Sequence, residues 1–329
     1  MKLRTEISVA KSTLEISHES SILTLGSCFS EEMGQLLVSN KFNVVNNPFG
    51  TTFNPISIAQ IIEDVCTQTH HTIPCQLDDV FLDHHFHSSF FGYSLAELEH
   101  KIKASLTIAQ LQLKQENPVL IITLGTAWMY EHLKSNSIIS NCHKQDSKLF
   151  AKELGSIEQF DAIVKKSFDL LFSTYPNTEI ILTLSPVRHT KEGLAENQIS
   201  KSILRVLCHE LSNAYEQVHY FPSYEIVLDD LRDYRFYSTD LVHPNKQALE
   251  YIWNIFRETH FNSATLKLVE QWNQMQHKIM HKPFYEQSKS YLLFLQSTLD
   301  EIRILGKELP LEEEHHSLTL KIKEFLSNE

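Results

Sequence analysis

The sequence is short of basic charge. Lys and Arg total 29 against 41 Asp and Glu, a formal charge of −12 over 329 residues. A dedicated nucleic-acid binder would carry a basic stripe, and so would a protein that adheres to anionic lipid, so neither partner is expected. No window approaches the ~18 apolar residues of a membrane span, which argues against a membrane protein. The start, MKLRTEISVAKS, puts no apolar stretch behind its charges. No secretory signal is therefore expected, and a cytoplasmic location is. The five cysteines, at 28, 66, 75, 142 and 208, are odd in number and contain no Cys-x-x-Cys. That argues against a disulfide scaffold and against a four-thiolate zinc site. There is no Gly-x-Gly-x-x-Gly and no Gly-x-x-x-x-Gly-Lys, so dinucleotide and P-loop sites lack their usual signature. Low-complexity tracts and internal repeats are missing too.

What is present is alternation. Ile22–Leu25, Asn43–Val45, Val119–Leu124, Glu179–Leu184 and Gln217–Phe221 are short apolar runs separated by helical patterns. Strands apolar on both faces and separated by helices imply a parallel sheet covered on both sides. The fold class is therefore α/β, with a doubly wound parallel sheet. Helix starts are signalled by Ser30 before Glu31 and Glu32, by Asn54-Pro55, and by the capping boxes at Ser94–Glu97 and Ser156–Gln159. After Phe256 the strands stop, and 264–282, 286–305 and 317–327 read as helices. Two domains follow: residues 1–256 as the α/β domain and 257–329 as a C-terminal helical extension, a plausible surface for a homodimer.

In such sheets ligands sit at the carboxyl ends of the strands. Two segments there carry chemistry. Gly26-Ser27-Cys28-Phe29 ends the first strand. A cysteine opening a helix lies in the positive field of that terminus, which favours the thiolate. Asp240-Leu241-Val242-His243-Pro244-Asn245 precedes a late helix. Its Asp-x-x-His lets the carboxylate hold Nδ1–H while the other nitrogen takes a proton from a nucleophile. The ordinary readings are a buried structural thiol and a surface loop. The fold strengthens the chemical ones by bringing both segments to one edge. Arg188 and His189 follow the fourth strand and belong to the same edge. They can recognise a carboxylate or phosphate, or Arg188 can pair with a loop carboxylate such as Glu192. Asn141–Lys144 reads as a polar turn after Ile138-Ile139. Asp83-His84-His85-Phe86-His87 could supply metal ligands, with His85 and His87 on one strand face. With 18 histidines in the chain, clustering by chance is expected, so no metal and no cofactor is expected.

The strings GSCF, NPFGTTFNP, TLGTAW, NCHK, SPVRHTKEG, FPSYEI and DLVHPN, taken in order, resemble the GSCFA-domain proteins. Ser30 stands where that name has alanine. More broadly, a glycine-x-nucleophile after the first strand and a late Asp-x-x-His look like the SGNH/GDSL hydrolases. That resemblance implies a three-layer α/β sandwich and hydrolysis or transfer of an acyl group on a small-molecule or glycan ester. It implies Cys28 as nucleophile, with Ser27, in place of the superfamily's aspartate, as rival. His243 and Asp240 would be base and orienting acid. Gly50 would be an oxyanion donor. The superfamily's oxyanion asparagine is missing from Gly125-Thr126-Ala127-Trp128, so Asn54 or Thr126 would have to substitute. The other expectation is a non-catalytic module that binds an anion or small molecule on the same fold.

Overall fold

A computed structural model describes residues 4–327. Its contacts divide it into two units: residues 4–38 with 42–260, and residues 39–41 with 261–327.

The first unit begins with β1 (Ser21–Gly26), buried along its whole length, followed by α1 (Cys28–Ser39) and β2 (Asn43–Asn46). Next comes α2 (Pro55–Thr67), capped by the Asn54 side chain, with proline in its first turn. A small antiparallel sheet follows, made of β3 (Pro74–Leu77), β4 (Val80–Asp83) and β5 (Phe91–Gly92). Ser94 then caps α3 (Leu95–Leu113), which leads to β6 (Pro118–Leu124). A second antiparallel sheet holds β7 (Trp128–His132), β8 (Ser137–Ile139) and β9 (Phe150–Leu154). The unit continues with α4 (Ile157–Thr174), β10 (Glu179–Leu184), α5 (Leu194–Ala214), β11 (Val218–Phe221), α6 (Ser223–Glu225) and α7 (Lys246–His260).

The main sheet has five strands, all parallel, in the order β11-β10-β6-β1-β2. The five apolar runs of the sequence are these five strands. The chain winds outward from β1 to β2 on one side and from β6 through β10 to β11 on the other. The direction reverses between β1 and β6, the switch point where α/β sheets bind ligands. α1 starts at Cys28, three residues before the expected start after Ser30. Ser27 O accepts from Ser30 N (2.8 Å) and Glu31 N (3.3 Å), so the first turn forms early and Ser30 is buried inside the helix. The two small antiparallel sheets were not expected.

The second unit contains α8 (Ser263–Ile279), α9 (Lys289–Leu305) and α10 (Glu312–Ser327). Asn262 caps α8 and Ser288 caps α9. Trp272, Met275, Leu295, Ile302, Leu318 and Ile322 form its own apolar core. No helix among the described residues is long and apolar enough to cross a membrane.

Candidate active site

The edge is shaped first by a glycine. Gly26 has φ +140°, and a Cβ there would meet Thr123 O at 2.3 Å. Only glycine lets β1 end so close to β6 and turn into α1. Cys28 thus becomes the first residue of a helix at the switch point. Ser27 beside it is buried at 1% exposure, and its Oγ has no hydrogen-bond partner. Cys28, by contrast, is partly exposed.

The helix terminus does not leave Cys28 as a thiolate. Burial pushes its thiol up, the backbone N–H groups of Phe29 and Cys28 pull it down, and Glu32 and Lys201 act in opposite senses. The net shift is upward, because desolvation of the charged form outweighs the dipole. The low-pKa thiol expected from the sequence is corrected here.

The partner segment forms as expected. Asp240 Oδ2 lies 2.6 Å from His243 Nδ1, while Oδ1 accepts from the N–H groups of Val242 and His243, both at 3.0 Å. These bonds hold the Asp240 carboxyl down at about 2. Asn245 closes the segment: Oδ1 accepts from Ala248 N, and Nδ2 donates to Arg235 O. His243 and Asp240 side chains are each 47% exposed. Nδ1 is committed, so Nε2 is the nitrogen available for proton transfer. Among the described residues no hydrogen bond joins Cys28 Sγ to His243.

Sequence reading missed Lys201. It is fully buried on α5, and Nζ donates to Gly125 O (2.8 Å) and Ser185 O (2.7 Å), at the ends of β6 and β10. Burial pulls its amine down to about 7, against an opposing pull from Cys28. The signal was available: Lys201 falls in register with the buried stripe Asn197, Leu204, Cys208 and Leu211, where an apolar residue is expected. His189 also bonds the Gly125 carbonyl. Burial, then the charges of Lys201 and His243, bring its imidazole down to about 4. Lys201 thus acts electrostatically on both Cys28 and His189.

The sequence profile of the GSCFA family matches residues 21–256, and that of the GSCFA domain protein C-terminal domain matches residues 272–324. The chain belongs to the GSCFA family. No match was found among curated proteins. One solved structure it resembles is described as "a putative platelet activating factor from Streptococcus pneumonia". It has 15% identity and a TM-score of 0.39 over 75% of this chain and 85% of that one, and so slight a likeness carries no argument.

In this GSCFA chain the expected oxyanion donors are engaged elsewhere. Gly50, with φ +74°, donates its N–H to Asn47 O at 2.8 Å, closing a turn. Asn54 caps α2 through Ser57 N and holds Ser57 Oγ with its amide. Thr126 Oγ1 lies 3.2 Å from Ser200 Oγ and accepts from Trp128 N. The N–H groups of Phe29 and Cys28 are aimed at the Cys28 sulfur. Arg188 does not pair with Glu192, which takes Lys152 instead. Its guanidinium reaches Tyr237 OH at 3.4 Å and helps line an open pocket of about 440 Å³ with Arg232, Tyr234, Tyr237 and Asp240. A second cavity of about 430 Å³ lies between Glu31, Gly50, His87 and Ser89.

The histidine-rich segment behaves differently from its expected strand. β4 ends at Asp83, so His85 and His87 lie in the following turn and share no strand face. His85 Nδ1 meets Asp83 Oδ1 at 2.9 Å, and His87 Nδ1 meets Ser89 Oγ at 2.9 Å. Asn141–Lys144 forms a turn with left-handed backbone at His143 and Lys144, and it packs on His84.

Proposed function

We propose that this edge hydrolyses or transfers an acyl group of an ester-like substrate, on a three-layer sheet of SGNH type. The observation that carries the reading is the Asp240–His243 pair at 2.6 Å, with its outer imidazole nitrogen in reach of solvent at the edge where Cys28 opens α1. His243 Nε2 takes the Cys28 thiol proton as the sulfur bonds the carbonyl carbon. The same proton then goes to the departing alkoxide, and water, deprotonated by His243, releases the acid and restores the thiol. The N–H groups of Cys28 and Phe29 hold the oxyanion, the work a helix N-terminus is suited to. Lys201, close enough to act on the Cys28 sulfur, supplies positive potential from beneath. Because Cys28 is held protonated and unbonded to His243 in the free protein, substrate must draw the two together, as catalytic contacts often tighten on binding. The test is turnover of short-chain p-nitrophenyl esters and thioesters. Activity lost in both Cys28→Ala and His243→Ala supports the reading. Equal activity in the wild type and both variants defeats it.

The engagement of Gly50, Asn54 and Thr126 favours a second reading, in which the edge binds an anion through Arg188 without reaction. Calorimetry with small carboxylates and phosphates decides for it if binding is lost in Arg188→Ala and no ester is turned over.

A further inference from the structure

A second constellation lies within the same unit, away from Cys28 and His243. Cys75 comes from β3, His84 from the turn after β4, and His143 from the turn after β8. One donor atom of each lies within 4.8 Å of a donor atom of the other two. The two histidines are 3% and 1% exposed, and Cys75 is partly buried. Each imidazole has one nitrogen on a backbone carbonyl: His84 Nδ1 is 2.7 Å from Asn141 O, and His143 Nε2 is 2.8 Å from Asp83 O. Carbonyls only accept, so those nitrogens carry the protons. The lone pairs fall on His84 Nε2 and His143 Nδ1. This is how metal-binding histidines are set by their outer contacts, with tautomer and ring angle fixed by a carbonyl. We propose that Cys75, His84 and His143 bind a zinc-class divalent cation, with water completing the tetrahedron.

The donor set is one soft thiolate and two imidazoles, which suits zinc rather than magnesium or calcium. Donor atoms of tetrahedral zinc lie about 3.3–3.7 Å apart, given bonds of about 2.0–2.3 Å. Donor atoms within 4.8 Å of one another must close to that spacing on binding. On binding, Cys75 gives its thiol proton to water and the sulfur bonds the metal. Ser88 Oγ, 3.0 Å from His143 Nδ1, must rotate its hydroxyl to free that lone pair. The neighbouring set His70, Asp83 and His85 suits a metal less well. His70 already gives its nitrogens to Asp64 (2.5 Å) and Asp83 (3.3 Å), and His85 gives Nδ1 to Asp83, so a cation there would compete with these hydrogen bonds.

The metal would staple the paired β3 and β4 segments to the turn after β8. The turn it fixes also carries His87, whose Cβ lies 2.7 Å from the position of a Cβ on Gly50. A metal here therefore sets one wall of the cavity beside Gly50.

The test uses full-length, tag-free protein. It is freed of metal with a chelator, titrated with Co²⁺, and then with Zn²⁺. The expected result is a thiolate-to-cobalt charge-transfer absorption that saturates at about one equivalent per chain. Cys75→Ser loses this absorption and Cys66→Ser keeps it. In the wild type, Zn²⁺ also protects Cys75 from iodoacetamide while Cys66 still reacts. That last measurement needs no variant, so a misfolded Cys75→Ser leaves the proposal exposed to refutation. No charge-transfer band and unchanged Cys75 alkylation at saturating metal would overturn it. So would a band that survives in a folded Cys75→Ser.

Discussion

The edge around Cys28 and the histidine cluster around Asp83 use the same residue types to opposite ends. At the edge, several polar groups are left partly open. Asp240 and His243 are half exposed, Cys28 has no hydrogen bond to His243, and Arg188 meets Tyr237 through a long hydrogen bond and the face of its ring. Around Asp83 the groups are buried and mostly paired, though His85 Nε2 has no hydrogen-bond partner. Asp83 is wholly buried and meets His70, His85 and the N–H of Ile73. Burial alone would push His70 down, but its bonds to Asp64 and Asp83 outweigh that and lift it to about 9. The difference teaches which groups hold the fold and which are free to act. A satisfied buried network rigidifies, whereas groups with spare donors and acceptors can meet a substrate.

The largest effect that would sharpen the comparison is at the edge. Cys28→Ala should lower kcat for a reactive ester by about 10⁴–10⁶-fold, with the urea midpoint little changed, as steady-state assays and unfolding curves together would show. An equal loss from Ser27→Ala, with Cys28→Ala active, would move the nucleophile to Ser27.

At the buried cluster the effect should fall on stability. Asp83→Ala leaves the Ile73 N–H and His85 Nδ1 without their acceptor and His70 with Asp64 alone, and should cost about 3–5 kcal/mol in urea unfolding. A loss below about 1 kcal/mol would mean that the cluster is not a structural network.

A pH series separates the regions more finely. His70 has a folded pKa above its unfolded value of 6.5. Its contribution is therefore fully present below pH 6.5 and is lost as pH rises through about 9. The stability difference between wild type and His70→Gln should shrink across that window. Cys28 should behave differently: burial raises its thiol, so its alkylation rate should still be climbing at pH 9. A Cys28 rate that levels off near neutral pH would contradict the burial argument.

The smallest effect is expected at Ser27. Its Oγ is buried with no partner, so Ser27→Ala should change stability by no more than about 1 kcal/mol, on the neutral or stabilising side.

What was legible in the sequence follows the same division. Strands β1, β6 and β10 showed as apolar runs because they are buried along nearly their whole length, while β2 and β11 are only partly buried and gave shorter runs. The Asp240–His243 contact was readable because three residues of loop suffice to make it. The small sheets were hidden: β3 is PCQL and β4 is VFLD, too short and too mixed in polarity for a strand pattern. The cluster of Cys75, His84 and His143 needs segments as much as 68 positions apart, and no local spacing announces it. Lys201 was visible only as a charge in a core register. Gly50, Asn54 and Thr126 were assigned by resemblance, and each proved to be bonded to its own neighbourhood.

The central claim is that Cys28 and the Asp240–His243 pair act as one reactive unit. Its most direct test is to trap the acyl-enzyme: mix the protein with p-nitrophenyl acetate, quench in acid and map the acetyl group by peptide mass spectrometry. The account predicts an acetyl group on Cys28, ahead of Cys66, Cys75, Cys142 and Cys208, and its strong depletion in His243→Ala. No acetyl on Cys28, or the same yield with His243 removed, would contradict it.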